Sequence, residues 1–201
     1  VGVKSSSPQK HRPVRLAVFA SGSGTNAENL YRYFHQRPDA EVVALYVDRP
    51  RAGVIARMQP YGLPIRCFNA RQLQDHTVLS WLQEDRIDFI ALAGFLRKIP
   101  PAMIQAFPER IINIHPALLP RWGGKGMYGM RVHRVVIEAG DPESGITIHY
   151  VNEEYDRGAV IFQAALKVRP GETPESLAER IHQLEYRFYP QVIENLLQLL
   201  I

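Results

Sequence analysis

Val14-Arg15-Leu16-Ala17-Val18-Phe19-Ala20-Ser21-Gly22-Ser23-Gly24-Thr25-Asn26 is an apolar run that breaks into a glycine-rich turn. Val14 to Ala20 has the length and composition of a buried strand, and Asn26 to His35 reads as the helix that follows it. Strand, glycine loop and helix in that order form the opening of a βαβ unit. Glycines there let backbone N–H groups turn toward an anion, and the helix amino terminus adds a favourable partial charge. The plain alternative is a tight turn with Thr25 as N-cap. Gly22, Gly24 and Ala27 also satisfy the G-x-G-x-x-G/A dinucleotide fingerprint, and Asp48 ends the second strand where a ribose-binding acid would sit. An NAD-linked oxidoreductase and a non-catalytic nucleotide-binding module therefore both stay open on these residues.

Outward from that unit, apolar runs and amphipathic stretches keep alternating. Strands are expected at Val14 to Ala20, Glu41 to Val47, Ile65 to Phe68, Asp88 to Ala93, Ile111 to His115, Gly145 to Val151 and Val160 to Val168. Helices are expected at Asn26 to His35, Val54 to Gln59, Leu73 to Glu84, Pro101 to Phe107, Met127 to Ala139 and Pro174 to Leu200, the last kinked or divided by Pro190. Only a short acidic turn joins the final two strands, too little for a parallel crossover, so they should form an antiparallel hairpin. The expected architecture is an α/β fold with an open, Rossmann-like, mostly parallel twisted sheet, an antiparallel C-terminal hairpin and helices on both faces. Residues 14–201 read as a single domain, and residues 1–13 as a disordered lead.

The 201 residues carry a net charge of +4. Lys4, Lys10 and Arg12 sit in the lead with no acid beside them, which leaves the body at about +1 and without the basic stripe of a nucleic-acid binder. Cys67 is the sole cysteine, so an internal disulfide framework is excluded, and no Cys/His cluster has zinc spacing. No apolar run approaches a membrane span and no signal-like segment follows the basic start. A cytoplasmic chain with no metal, no membrane and no nucleic-acid partner is expected.

Asn113-Ile114-His115-Pro116-Ala117-Leu118-Leu119-Pro120 carries the chemistry. Residues two apart on a strand share a face, so Asn113 and His115 should point together while Ile114 packs on the other side. Pro116 ends the strand, which leaves both polar side chains at its carboxyl end, where open α/β sheets bind ligands. An amide donor beside an imidazole suits an oxyanion, and such donors stabilise tetrahedral species. A polar strand cap is the bland alternative. Asp156, in the acidic turn Glu153-Glu154-Tyr155-Asp156-Arg157-Gly158, is a candidate proton acceptor, although Asp in such a turn is more often turn chemistry.

Taken together, these stretches resemble the phosphoribosylglycinamide formyltransferase family from about Arg15 to Ile193. The resemblance rests on Ser-Gly-Ser-Gly-Thr-Asn at 21–26, Leu-Ala-Gly-Phe-Leu-Arg at 92–97, Asn-Ile-His-Pro-Ala-Leu-Leu-Pro at 113–120 and Gly-Ile-Thr-Ile-His-Tyr-Val with Asp-x-Gly from 145 to 158. It implies transfer of the formyl group of 10-formyltetrahydrofolate to the amine of glycinamide ribonucleotide, in purine biosynthesis, by a monomer or homodimer. Asn113, His115 and Asp156 are then the catalytic trio, with Gly24, Thr25 and Asn26 on the phosphate and Glu185 near the substrate amine. Folate binding is implied for Arg71, Leu96, Arg97, Lys98 and Ile99, together with Asn113, and His149 borders the site. The stretch Arg121 to Val132, with Lys125 inside Gly-x-Lys-Gly, departs from the commoner family form and lacks the Walker A ending. Formyltetrahydrofolate hydrolase and methionyl-tRNA formyltransferase share the Asn-x-His core. They differ by an additional N-terminal regulatory domain and a further C-terminal domain, respectively.

Overall fold

The computed structural model describes residues 12–199. Seven strands form one sheet in the order β3-β2-β1-β4-β5-β6-β7. They are β1 (Val14–Ala20), β2 (Ala40–Val47), β3 (Ile65–Cys67), β4 (Phe89–Leu92), β5 (Ile111–His115), β6 (Glu143–Tyr150) and β7 (Val160–Lys167). β1 to β5 pair parallel, whereas β6 runs antiparallel to both β5 and β7. The expected mixed sheet and C-terminal hairpin are therefore present.

Alternation along each central strand feeds two apolar layers. Leu16, Val18 and Ala20 of β1 pack with Leu30 of α1 (Thr25–Phe34), Val54 of α2 (Gly53–Met58), Val136 of α6 (Met130–Glu138) and Ile181 of α7 (Pro174–Leu197). Ala17 and Phe19 face the other way, onto Leu73 of α3 (Ala70–Gln74), Leu82 of α4 (Thr77–Glu84) and Met103 of α5 (Pro101–Ala106). Helices thus cover both faces. A strand buried on both sides reads as a continuous apolar run, as β1 does.

Three local expectations change. The single helix from Leu73 to Glu84 is two helices, broken at His76 with φ 66, and the second is preceded by Asp75, which accepts from both the backbone and the hydroxyl of Thr77. Pro190 does not divide the last helix, which runs unbroken from Pro174 to Leu197. A proline lacks the N–H that would bond the carbonyl four residues earlier, and here Asn29 of α1 donates its side-chain amide to that Tyr186 carbonyl at 2.9 Å. Finally, α1 is capped by Gly24 in the left-handed region, with Thr25 as its first helical residue rather than its N-cap. A Cβ at Gly24 would fall inside the Val54 side chain, so both φ 78 and the close approach require glycine. Of the expected N-terminal lead, all but Arg12 and Pro13 lies outside the described residues; Arg12 forks onto Asp88 at 2.6 and 2.8 Å.

Candidate active site

Strand order reverses between β1 and β4, because the chain builds outward through β2 and β3 before crossing back. In open α/β sheets such a reversal leaves a crevice beyond the strand carboxyl ends. A cavity of about 640 Å³ lies there, bordered by Gly22 to Asn26 after β1, Ala93 to Leu96 after β4 and Asn113 to Pro116 at the end of β5. This volume is in the range that holds small-molecule ligands. Ser21 ties the first two borders together, donating its N–H to the Gly94 carbonyl at 3.1 Å and accepting at Oγ from the Leu96 N–H at 3.1 Å.

Asn113 and His115 share one face of β5, opposite His149 and Thr147 of β6. Asp156 reaches that face by an indirect route. Tyr150 pairs with Ile112, so the chain leaves β6 beside the start of β5, yet Asp156 lies 3.6 Å from His115 at the end of β5. The connection must fold back over the sheet, and Asp156 itself adopts φ 54 within it. Gly158 lies so close against the Tyr150 carbonyl that no Cβ could be accommodated.

Four polar groups then meet. Asp156 Oδ2 accepts the Gly124 N–H at 2.8 Å and lies 3.6 Å from His115 Nδ1, and Oδ1 lies 3.6 Å from His149 Nε2. The Asn113 amide directs Nδ2 at His149 Nε2, 3.1 Å away, and at Asp156 Oδ1, 3.5 Å away. A carbonyl can only accept, which fixes both rings. His149 donates from Nδ1 to the Tyr150 carbonyl at 2.8 Å, so its Nε2 carries the lone pair facing Asn113. His115 donates from Nε2 to the Trp122 carbonyl at 2.8 Å, which leaves Nδ1 as the nitrogen able to take up a proton.

Burial pushes the His115 imidazole below its ordinary value, although the Asp156 charge and the Trp122 carbonyl pull it upward. Burial likewise pushes the Asp156 carboxyl up, but the neighbouring His115 ring and the Gly124 N–H outweigh it and hold the group below its ordinary value. Near neutrality the pair is therefore a neutral imidazole beside a carboxylate.

The opposite wall is built by α7 and the helices packed on it. Glu185, 4% exposed, accepts at Oε2 from Asn26 Nδ2 at 2.8 Å and lies 2.8 Å from His182 Nδ1. The hydrogen bond to Glu185 raises the His182 value. His133, on the first turn of α6, is 2% exposed and pushed down to about 4 by burial and then by the His182 charge. Its Nδ1 and Asn26 Oδ1 are buried without a hydrogen-bond partner within the protein, and both residues line the cavity. Unpaired buried polar atoms on a ligand-sized cavity call for a polar occupant.

The remaining expected positions divide sharply. Leu96 borders the cavity, but Arg71, Arg97, Lys98 and Ile99 do not. The Arg71 side chain is 90% exposed on α3, with Nε 3.7 Å from Asp75, and Lys98 is exposed. Ile99 is buried in the second apolar layer. Arg97 donates from Nε to Asp48 Oδ2 at 2.7 Å, so the acid read as a ribose ligand is instead the buried anchor of that segment. His149 was expected at the border of the site, whereas His182, His133 and Trp122 are the groups that sequence reasoning left out. His182 stands three residues before Glu185, a spacing that places both on one helix face and could have flagged the pair. His133 and Trp122 gave no such signal.

The model of the formyl transferase family matches residues 14–193. The chain is 40% identical over 196 residues to the chloroplastic phosphoribosylglycinamide formyltransferase of Arabidopsis thaliana, covering 91% of this chain and 66% of that protein. It is 37% identical over 191 residues to phosphoribosylglycinamide formyltransferase of Bacillus subtilis, covering 92% of this chain and 95% of that one. The chain thus spans about two thirds of the plant relative's length. Among solved structures, glycinamide ribonucleotide transformylase 1 from Geobacillus kaustophilus superposes with a TM-score of 0.83 at 40% identity, covering 92% of this chain and 100% of that one.

Proposed function

Because the chain belongs to the formyl transferase family, among its phosphoribosylglycinamide formyltransferases, we propose that it moves the formyl group of 10-formyltetrahydrofolate to the amine of glycinamide ribonucleotide. The observation that carries this reading is the meeting of Asn113, His115 and Asp156 at one cavity that also includes Gly24, Thr25 and Asn26. An NAD-linked oxidation gives those three groups no work, and Asp48, the acid it needs, is occupied by Arg97.

The chemistry follows from the proton positions. The amine attacks the formyl carbon, the carbonyl oxygen becomes an oxyanion, and the nitrogen must lose a proton. His115 Nδ1 takes that proton, since Nε2–H is committed to Trp122. The imidazolium formed lies 3.6 Å from the Asp156 carboxylate, which stabilises the new charge. Asn113 holds His149 at 3.1 Å with one N–H, while the other makes only a 3.5 Å contact with Asp156 and can turn to the oxyanion. Protonated His115 then returns its proton to the departing folate nitrogen. Gly24, Thr25 and Asn26 take the ribonucleotide phosphate, Glu185 lies toward the amine, and Leu96 with Phe95 offers an apolar border for the pterin. Arg97 acts by holding the 95–99 segment through Asp48.

Purified protein given both substrates is expected to form formylglycinamide ribonucleotide, followed by chromatography of the product. Release of formate alone, or formylation of methionyl-tRNA in place of the ribonucleotide, would replace this reading.

A further inference from the structure

We propose that Lys125 is the countercharge for the phosphate of the ribonucleotide, held over the glycine-loop end of the cavity by a strap that also braces the catalytic pair. The inference rests on the acceptor assignment above and adds a residue to it.

Charge balance supports this. The acidic and basic side chains lining the cavity are Asp156, Glu185, His115, His133, His182 and Lys125. Two are carboxylates, and His115 and His133 are held neutral by burial. His182 is already paired with Glu185, and Lys125 is the one lysine or arginine among the lining residues. A phosphate dianion entering beside two carboxylates needs such a partner, because backbone N–H groups supply only partial charge.

Lys125 is also available, on a fixed backbone. Lys125 makes no ion pair or side-chain hydrogen bond among the described residues, and it is exposed. Yet the strap around it is pinned: the Trp122 carbonyl accepts from His115, Trp122 Nε1 donates to Asp141 at 2.6 Å, Gly124 N–H donates to Asp156, and Met127 N–H returns to the Gly124 carbonyl at 3.0 Å. Gly124 and Gly126 flank Lys125 with φ 98 and 85, so the lysine projects from a turn that side chains on either side would strain. Gly123, unlike these two, is closely packed, as a Cβ there would lie 2.5 Å from Leu119 and 3.2 Å from the Asp156 Cβ.

The placement of the strap favours phosphate over the carboxylates of a folate tail. From Trp122, which packs on the layer containing α1 and α7, the strap runs into α6 on that same face. The glycine loop opens α1 there, and Asn26 joins α1 to Glu185 of α7. Phe95 and Ile99 belong to the opposite layer. Lys125 is thus delivered to the ribonucleotide side.

Calorimetric titration with ribose 5-phosphate separates the possibilities without requiring turnover. Lys125→Ala should weaken its binding about tenfold, the loss of one charge-assisted contact, while Lys125→Arg stays near the parent value and both variants melt as the parent does. In steady state, Lys125→Ala should raise KM for glycinamide ribonucleotide by a similar factor and leave kcat and KM for the formyl donor unchanged. Equal ribose 5-phosphate affinity in the parent and the alanine variant, or a rise in the donor KM alone, overturns the proposal. If ribose 5-phosphate binds through Lys125 but no formyl transfer occurs, the phosphate contact stands and the acceptor assignment falls. If the ribonucleotide is formylated with KM unmoved in Lys125→Ala, the reverse holds.

Discussion

The parallel and antiparallel halves of the sheet reach the same cavity by different routes. In the parallel half, polar groups arrive directly after the strands that carry them: Ser21 to Asn26 follow β1, Gly94 to Leu96 follow β4, and Asn113 and His115 end β5. Each strand delivers its own loop to the shared carboxyl edge, as parallel order demands. In the antiparallel half, β6 ends beside the start of β5, so the turn after it leaves from the wrong edge. Asp156 returns only because that turn folds back and is held by the Gly124 N–H, the Asn113 amide and a left-handed residue conformation. Anchor groups come from local order, and the charge that governs the imidazole comes from a long-range detour.

That contrast can be broken at several points. The largest effect is expected at His115→Ala, which removes the proposed proton acceptor and should lower kcat by roughly 10² to 10⁴-fold. Ribonucleotide affinity should be retained, since the anchor groups lie in another segment; a matching loss of affinity measured by calorimetry would show that the two halves are not separable.

Asp156→Asn should lower kcat by about 10²-fold, within the range for losing one charge stabiliser. It also makes a signed prediction in pH. His115 must be neutral to accept a proton, so activity is full above its depressed value and falls as pH drops through it. Asp156 raises that value, and its removal should therefore shift the acid limb of the kcat/KM profile to lower pH. A limb moving upward, or not at all, would mean that Asp156 does not act through His115.

Gly24→Ala tests the parallel half. The alanine must adopt φ 78 and overlap Val54, which should cost about 1 to 3 kcal/mol of stability and raise KM for the ribonucleotide without a comparable fall in kcat. Thermal melting and steady-state kinetics on one preparation distinguish the two contributions. The smallest effect is expected for Asn29→Ala, which strips the Tyr186 carbonyl of the donor that replaces the missing Pro190 N–H. A loss of about 1 kcal/mol by denaturant unfolding, with unchanged kinetics, is the expected outcome.

Much of the fold was legible because apolar runs buried on both faces, glycine breaks and short connections are local records of sheet architecture. Helix continuity was less so. His76 interrupts a stretch that carries a helical apolar stripe through a backbone conformation the stripe does not record, and Asn29, 157 residues ahead of the Tyr186 carbonyl it bonds, rescues a helix that carries a proline. For the site, Asn113 and His115 were readable as a pair because a two-residue repeat fixes their common face. The expectation that Arg97 serves a ligand met a competitor in Asp48, which only a packed structure could put 2.7 Å away.

The sequence by itself determined the alternation of strands and helices, the glycine loop at the first strand end and the two polar side chains at the fifth, since periodicity and backbone sterics act over a few residues. Tertiary structure alone decided which nitrogen of His115 is free, how low its proton affinity falls and where Asp156 stands. Those depend on burial, on the Trp122 carbonyl and the Asp156 charge beside the ring, and on the Gly124 N–H that Asp156 accepts, and electrostatic interactions follow distance in space rather than distance along the chain.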